Sequence, residues 1–187
     1  SFTMNGVLIA MQGLWAGPYF NDVYALDKLA ASNLLFVIAI GVMFGFGSSG
    51  WLADRFGLEW VMVLGAALQV LGTFFYAVRP APAWFPLLNF LFGFGGAVSL
   101  LLMPQARRLF PNGLVGRAVS ATNLFSFTGI FVTQWAMGAI INLFGKDGAG
   151  HYPAQAYTVA LVIVGAVTLA TLITYLPTAA NGFSGTD

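Results

Sequence analysis

A stripe of polar side chains runs along the first apolar stretch of the chain. Asn5, Gln12 and Tyr19 are spaced by seven residues, which places them on one face of an α-helix, and Trp15 lies beside that face. Amide, phenol and indole groups form hydrogen bonds without carrying charge. In an apolar setting they can bind a polar solute along a water-filled pathway, or they can join one membrane helix to another for about 0.6 kcal/mol each. The residue types alone do not separate these two roles.

Two later apolar stretches carry similar polar positions. Asn123 and Gln134 share a face of one predicted helix, which Ser126 and Thr133 extend, and Asn89 lies in another helix. A polar side chain that faces lipid is costly, so we expect these faces to turn inward. We predict that seven residues line a substrate pathway: Asn5, Gln12, Trp15, Tyr19, Asn89, Asn123 and Gln134.

Residue patterns of enzymes and of metal or nucleotide sites are missing from the sequence. Cysteine is absent, which excludes thiolate metal sites and disulfides, and the single histidine, His151, has no evident partner. Neither H-E-x-x-H nor G-x-x-x-x-G-K-[ST] occurs. A net charge of +1 provides no basic surface for nucleic acid. We therefore predict no enzyme, no cofactor, no bound metal and no nucleic-acid partner.

The elements that position the polar residues are long and free of charge. Only 7% of residues are charged, and the mean hydropathy is +0.85. Six stretches contain no Asp, Glu, Lys or Arg: Ser1–Asn21, Leu29–Ala53, Trp60–Val78, Pro80–Ala106, Ala118–Gly145 and Gly148–Thr186. Each can hold the ~20 apolar residues with which a helix crosses a bilayer. The sequence therefore predicts an all-α membrane protein, a bundle of six transmembrane helices embedded in lipid.

The predicted helices divide the chain into one bundle and a short tail. They cover residues 2–19, 33–52, 59–76, 85–102, 117–144 and 154–175. Ser32 or Asn33 is expected to cap the second helix, and Pro177 to end the sixth. The bundle thus extends over residues 1–177, and residues 178–187 are expected to form a flexible tail. The glycines of the second helix are expected to pack closely against a neighbour.

The distribution of basic residues predicts the orientation of the bundle. With six spans both termini lie on one side, which also receives Arg55, Arg107, Arg108 and Arg117. The other side receives only Lys28, Arg79 and Lys146. The positive-inside rule therefore favours cytoplasmic termini, in the inner membrane of the cell. Because the chain starts with Ser and no basic segment precedes the first apolar run, we expect a domain boundary there and not a signal peptide.

The most specific string in the chain is Gly50-Trp51-Leu52-Ala53-Asp54-Arg55-Phe56-Gly57. Gly50 and Gly57 permit a tight reversal, and Asp54 can accept bonds from N–H groups at a helix N-terminus. The string resembles the signature that follows the second helix of a half-bundle in the major facilitator superfamily. That resemblance implies a cytoplasmic gating motif made of Gly50, Asp54, Arg55 and Gly57. The chain departs from the family at Leu58 and Glu59, where basic residues are common.

Two further strings extend the resemblance over nearly the whole chain. Gln12 to Tyr19 (QGLWAGPY) looks like the seventh helix of a bacterial branch grouped with nitrate/nitrite porters. Gly116 to Asn123, followed by Gln134-Trp135, looks like the eleventh helix of that branch. The resemblance implies half of a twelve-helix fold, the C-terminal six-helix half, which pairs with an N-terminal six-helix half of the same protein.

The functions compatible with these observations fall into three classes. The first is the C-terminal half of a secondary active transporter that moves a small polar or anionic solute by alternating access. The second is a membrane-embedded scaffold or receptor-like domain without transport. The third is a standalone six-helix half-transporter that homodimerises. No ionisable residue falls at mid-membrane depth in the predicted helices, so the sequence indicates no coupling residue in this half.

Overall fold

The computed structural model describes residues 2–98, 101 and 111–183, and all regular structure in this part of the chain is helical. In chain order the α-helices are α1 (Phe2–Ala10), α2 (Ala16–Tyr24), α3 (Lys28–Phe56), α4 (Leu58–Ala77), α5 (Phe85–Val98), α6 (Asn112–Asn142) and α7 (Ala154–Phe183). A π turn, Met11–Trp15, joins α1 to α2 in one continuous helical stretch, and a 3-10 turn, Pro82–Trp84, precedes α5.

Four of these helices are long and apolar enough to cross a membrane. They are Lys28–Phe56, Leu58–Ala77, Gly113–Asn142 and Ala154–Pro177, and Pro82–Val98 forms a shorter apolar helix. Most residues in three of them are not buried against other helices, and large apolar side chains such as Phe36, Phe127 and Ile173 are exposed. A helix that is apolar on all sides belongs in lipid. The prediction of an all-α membrane protein is therefore confirmed.

The helices pack mainly against partners that are not adjacent in sequence. α1 lies along α6, α3 along α5, and α4 along both α5 and α7. The α3–α5 crossing is so close that a Cβ at Gly93 would meet the carbonyl of Ile38, and a Cβ at Gly41 would meet that of Phe90. Small residues allow this backbone contact, which increases van der Waals packing between membrane helices.

Several helix ends differ from the sequence-based expectation. α3 begins at Lys28 because the Asp27 carboxylate accepts the Ala30 N–H at 2.7 Å, so Asp27 is the cap and Ser32 and Asn33 lie inside the helix. α7 continues through Pro177 to Phe183, so the predicted tail is helical over residues 178–183. Residues 184–187, and the predicted end of the fourth helix at residue 102, lie outside the described residues.

One end of the bundle is filled by aromatic side chains from four elements. We define the aromatic cluster as Tyr19, Phe20, Tyr24, Tyr76, Phe85 and Tyr157. Tyr19 contacts all five other rings of the cluster, three of which lie on other helices, at centroid distances of 5.6 to 6.5 Å. Edge-to-face pairs of this kind add to the burial of apolar area. The cluster therefore anchors α2 to α4, α5 and α7.

Candidate substrate pathway

The π turn lies at the position where sequence analysis placed two pathway residues, Gln12 and Trp15. The N–H of Ala16 bonds to the carbonyl of Met11, five residues earlier, which defines the widened turn. Pro18 follows at once, and its missing N–H and bulky ring disfavour a regular α-helical bond to the preceding turn. π turns of this kind are frequent at functional sites.

The π turn also changes which residues share a face. One extra residue in a turn rotates everything that follows by about 100°. Gln12 is half-buried, whereas Tyr19 is almost fully buried in the aromatic cluster. The seven-residue stripe that joined Asn5, Gln12 and Tyr19 assumes an uninterrupted α-helix, so it holds for the first two residues and is wrong for Tyr19.

Trp15 and Gln134 are brought together across the contact between the first helical stretch and α6. The indole Nε1 of Trp15 donates to the backbone carbonyl of Gln134 at 3.3 Å. The edge of the same ring lies 3.1 Å from the position that a Cβ at Gly138 would occupy. The ring therefore packs on α6, and its orientation is fixed by both contacts.

Tyr19 and Asn89 lie in the interior of the bundle. The hydroxyl of Tyr19 donates to the carbonyl of Tyr76 at 2.8 Å. Asn89 donates from Nδ2 to the carbonyl of Leu34 at 2.8 Å, and its Oδ1 accepts from the hydroxyl of Tyr76. These bonds join α2, α3, α4 and α5. Both side chains are paired and buried, so their contacts in this structure run between helices, and their place on a pathway stays a prediction.

Asn5, Gln12 and Asn123 have unpaired amides in the part of the chain that the structure describes. Asn5 and Gln12 are half-buried and Asn123 is exposed, and none of the three forms a side-chain hydrogen bond to a described residue. On the same helix as Asn123, Ser126 and Thr133 are buried. An amide left without a partner in hydrocarbon is costly, so these three groups require water, a solute or another part of the protein.

The predicted gating motif lies at the turn between α3 and α4. Gly57 alone makes the reversal, with a φ of +86° that favours glycine. Gly50 lies within α3, beside open space, and takes no part in the turn. Asp54 and Arg55 are exposed in the last turns of α3, and Asp54 makes no hydrogen bond to the first turn of α4. The expected bond between Asp54 and a helix N-terminus is therefore not formed within the described residues.

A polar cluster at the opposite end of the bundle was missed by the sequence analysis. Asp22 accepts bonds from His151 Nδ1 at 2.7 Å, from the Tyr157 hydroxyl at 2.6 Å and from the Tyr152 N–H at 3.2 Å. His151 therefore has a partner, contrary to the expectation, and the two residues are 129 positions apart. The available signal was topological, since the first and fifth predicted loops lie on the same side of a six-helix bundle.

The loop between α6 and α7 is shaped by Asp147. Its carboxylate accepts from the N–H groups of His151 and Ala149, both at 2.9 Å. These bonds, chiefly that from His151, lower the pKa of Asp147. The hydrogen bond that His151 donates to the Asp22 carboxylate raises the pKa of His151 above its ordinary value of 6.5. In the described residues, no group of three His, Cys, Asp or Glu side chains is arranged to hold a metal ion.

Comparison with known families decides what kind of bundle this is. A sequence profile of the Major Facilitator Superfamily matches residues 1–182. The chain belongs to the Major Facilitator Superfamily. The resemblance read from the Gly50–Gly57 string is thus confirmed at the level of the superfamily, and the chain is part of a multi-pass α-helical protein of a transporter family, not an enzyme.

A curated relative supports the same assignment. The Arabinose-proton symporter of Bacillus subtilis (strain 168) is 27% identical over 118 residues, which cover 63% of this chain and 25% of the relative. The matched part of the chain thus spans about a quarter of the relative's length. No solved structure matched the chain.

Proposed function

We propose that this chain is the C-terminal six-helix half of a secondary active transporter that moves a small polar or anionic solute by alternating access. The observation that carries the proposal is the superfamily match over residues 1–182. In this superfamily two six-helix halves rock against each other around a site near the midplane. The partner is then an N-terminal half of the same protein, and the inner membrane is the location, with cytoplasmic termini.

The number of spans is part of this proposal. Four helices qualify by length and composition. The continuous helical stretch from residue 2 to residue 24 is about 33 Å long at 1.5 Å per residue, which is sufficient to cross the ~30 Å hydrocarbon core. The remaining proposed span, the fourth in chain order, includes Pro82–Val98, and the next two residues lie outside the described part. The branch grouped with nitrate/nitrite porters remains part of the proposal, on the strength of the Gln12–Tyr19 string.

The proposed pathway is lined by Gln12, Trp15 and Gln134, with Asn5 and Asn123 further along the same helices. Its support is the π turn, which carries Gln12, and the contact that fixes Trp15 against Gln134. Ligand sites combine a few oriented polar groups with apolar walls, and amides and an indole suit hydroxylated solutes. The name of the Bacillus relative includes a sugar, which is a solute of this chemistry.

The test is uptake by the full-length protein in liposomes, with arabinose as the polar probe and nitrate as the anionic probe. Replacing Gln12 by Leu removes one neutral hydrogen bond to the solute, so we expect the KM for the transported probe to rise about three- to tenfold with thermal stability unchanged. Gln155→Leu, in the exposed first turn of α7, is the matched control and is expected to leave the KM unchanged.

Three outcomes contradict the proposal in different ways. A loss of thermal stability in Gln12→Leu with an unchanged KM makes Gln12 an interhelical bond. Failure of the full-length protein to move solutes under any gradient favours a scaffold or receptor-like domain. A folded homodimer of this chain alone that transports a probe favours the standalone half-transporter.

A further inference from the structure

The cluster around Asp22 joins elements that are distant in sequence and has no part in the proposed pathway. Asp22 lies in the last turn of α2, and its side chain is only 9% exposed, whereas that of His151 is 45% exposed. Three donors surround the carboxylate: the imidazole, the Tyr152 N–H and the Tyr157 hydroxyl. A nearly buried carboxylate thus faces an accessible imidazole at 2.7 Å.

We propose that His151 is a proton-binding site which, with Asp22, fastens the loop before α7 to the end of α2 while the imidazole is protonated and loosens it when the proton leaves. We call this pair the Asp22–His151 latch. The proposal goes beyond transport, because it concerns the loop and not the solute, and it holds whether or not Gln12 contacts a solute.

The geometry determines which proton is exchanged. Nδ1 faces the carboxylate and keeps its hydrogen there, so the proton that enters and leaves the half-exposed side chain is the one on Nε2. When Nε2 is protonated the ring is a cation and the bond to Asp22 is charge-assisted, roughly twice as strong as a neutral bond. Loss of that proton leaves a neutral donor facing the same carboxylate, and the latch weakens.

The groups that face His151 agree on the direction of the effect, with one exception. Asp22 from α2 stabilises the imidazolium, chiefly through the hydrogen bond, and Asp147 from the same loop adds to this at longer range. Lys146 opposes it, but its ammonium lies over the Tyr152 ring, 4.9 Å from the centroid. A further titratable neighbour is the Tyr157 hydroxyl from α7, which donates to Asp22. The balance favours the protonated ring.

The pH window follows from the raised pKa of His151. A group whose pKa is higher in the folded state stabilises that state fully below its unperturbed pKa, here 6.5, and the contribution is lost as the pH rises through the higher value. The latch is therefore at full strength below 6.5 and weakens as the pH rises through the raised pKa of His151. α2 itself stays fixed, because Tyr19 and Tyr24 bond to the carbonyls of Tyr76 and Pro80.

The first experiment is an NMR titration of the full-length protein, with the His151 imidazole resonance identified by its loss in His151→Gln. We expect a midpoint above 6.5 in the unmodified protein and a fall towards 6.5 in Asp22→Asn, which removes the charge but keeps the shape of the side chain. Asp27→Asn is the matched control, since Asp27 lies at the same end of the bundle and caps α3. A midpoint at or below 6.5 in the unmodified protein, or one unmoved by Asp22→Asn, overturns the proposal.

The second experiment measures the loop directly, by amide hydrogen exchange in the full-length protein. The Tyr152 N–H donates to Asp22 at 3.2 Å, so its exchange reports the contact between the loop and α2. After correction for the intrinsic pH dependence of amide exchange, we expect the protection factor of this amide to be several-fold higher below 6.5 than above the His151 midpoint. In Asp22→Asn we expect low protection at every pH. A protection factor that does not vary with pH in the unmodified protein contradicts the latch.

Discussion

Asn89 and Gln69 are buried amides on neighbouring helices, and their hydrogen bonding differs. Both ends of the Asn89 amide are bonded, to the hydroxyl of Tyr76 and to the carbonyl of Leu34. Gln69 donates from Nε2 to the carbonyl of Met4 at 2.7 Å, but its Oε1 has no partner among the described residues. An unpaired buried acceptor offsets part of what the other bond contributes.

This difference predicts unequal costs for the same kind of substitution. Asn89→Leu is expected to lower the free energy of unfolding by about 1–3 kcal/mol, because it leaves the Tyr76 hydroxyl buried without a partner. Gln69→Leu removes one bond and one unpaired acceptor together, so we expect a loss below about 1 kcal/mol. Unfolding curves of the purified variants in detergent measure both. Equal costs, or a larger cost for Gln69→Leu, contradict the assignment.

At the scale of helices, the crossing of α3 with α5 brings two helix backbones into direct contact. Gly41 and Gly93 face each other's helix backbone there, whereas Gly47 and Gly50 on α3 face open space. The sequence analysis expected the glycines of this helix to pack closely against a neighbour. The structure divides them: Gly41, Gly45 and Ser49 are buried, and Gly47 and Gly50 are exposed.

The two kinds of glycine are expected to respond in opposite ways to a methyl group. Gly93→Ala forces α3 and α5 apart and is expected to cost about 1–3 kcal/mol of stability. Gly47→Ala, in the same helix pair, adds a better helix former in open space, so we expect no loss and up to about 1 kcal/mol of gain. Thermal melts of both variants in one detergent give the comparison. A destabilised Gly47→Ala variant indicates that another part of the protein covers this face.

The membrane-spanning character of the helices was predictable from sequence. Lipid penalises charged side chains so strongly that long stretches without charge indicate membrane spans. The Gly50–Gly57 string indicated the superfamily because it resembles that family's signature, and Gly57 makes the turn that the string predicts. The predicted stripe does not extend to Tyr19 because a π turn breaks the helical period, and no simple pattern predicts where such a turn falls. The Asp22–His151 contact was missed because it depends on the packing of helices 129 residues apart in the chain.

At the scale of the whole molecule, the alternation of helices and turns predicts the side on which each turn lies. Three proposed spans separate Phe56, at the α3–α4 turn, from Ala149, in the α6–α7 loop. We expect a thiol at Phe56→Cys to react with a membrane-impermeant reagent from the cytoplasmic side, and a thiol at Ala149→Cys to react from the other side. Labelling of intact cells and of inverted vesicles measures this.

Labelling at these two sites distinguishes a wrong number of membrane spans from a wrong orientation of the bundle in the membrane. Reaction of both thiols from the same side means that the number of spans between them is even, which contradicts the six-span proposal. Reaction from opposite sides in the reversed sense preserves the count and contradicts cytoplasmic termini. The predicted cytoplasmic side has only one basic residue more than the other side, so the sequence constrains the orientation of the bundle less than it constrains the number of spans.

The π turn divides the first helical stretch into two segments whose side chains face in directions that are not related by the regular α-helical period. Before the turn, the stretch presents Asn5 and, within the turn, Gln12, both half-buried; after it, the stretch presents Tyr19 and Phe20 to the aromatic cluster. In a regular helix, a rotation of the first segment about the helix axis would also rotate the side chains of the second segment. Because the π turn holds one extra residue, a change in the segment with Asn5 and Gln12 leaves the segment with Tyr19 and Phe20 in place. A substitution at Asn5 or Gln12 is therefore expected to leave the contacts of Tyr19 and Phe20 in the aromatic cluster unchanged.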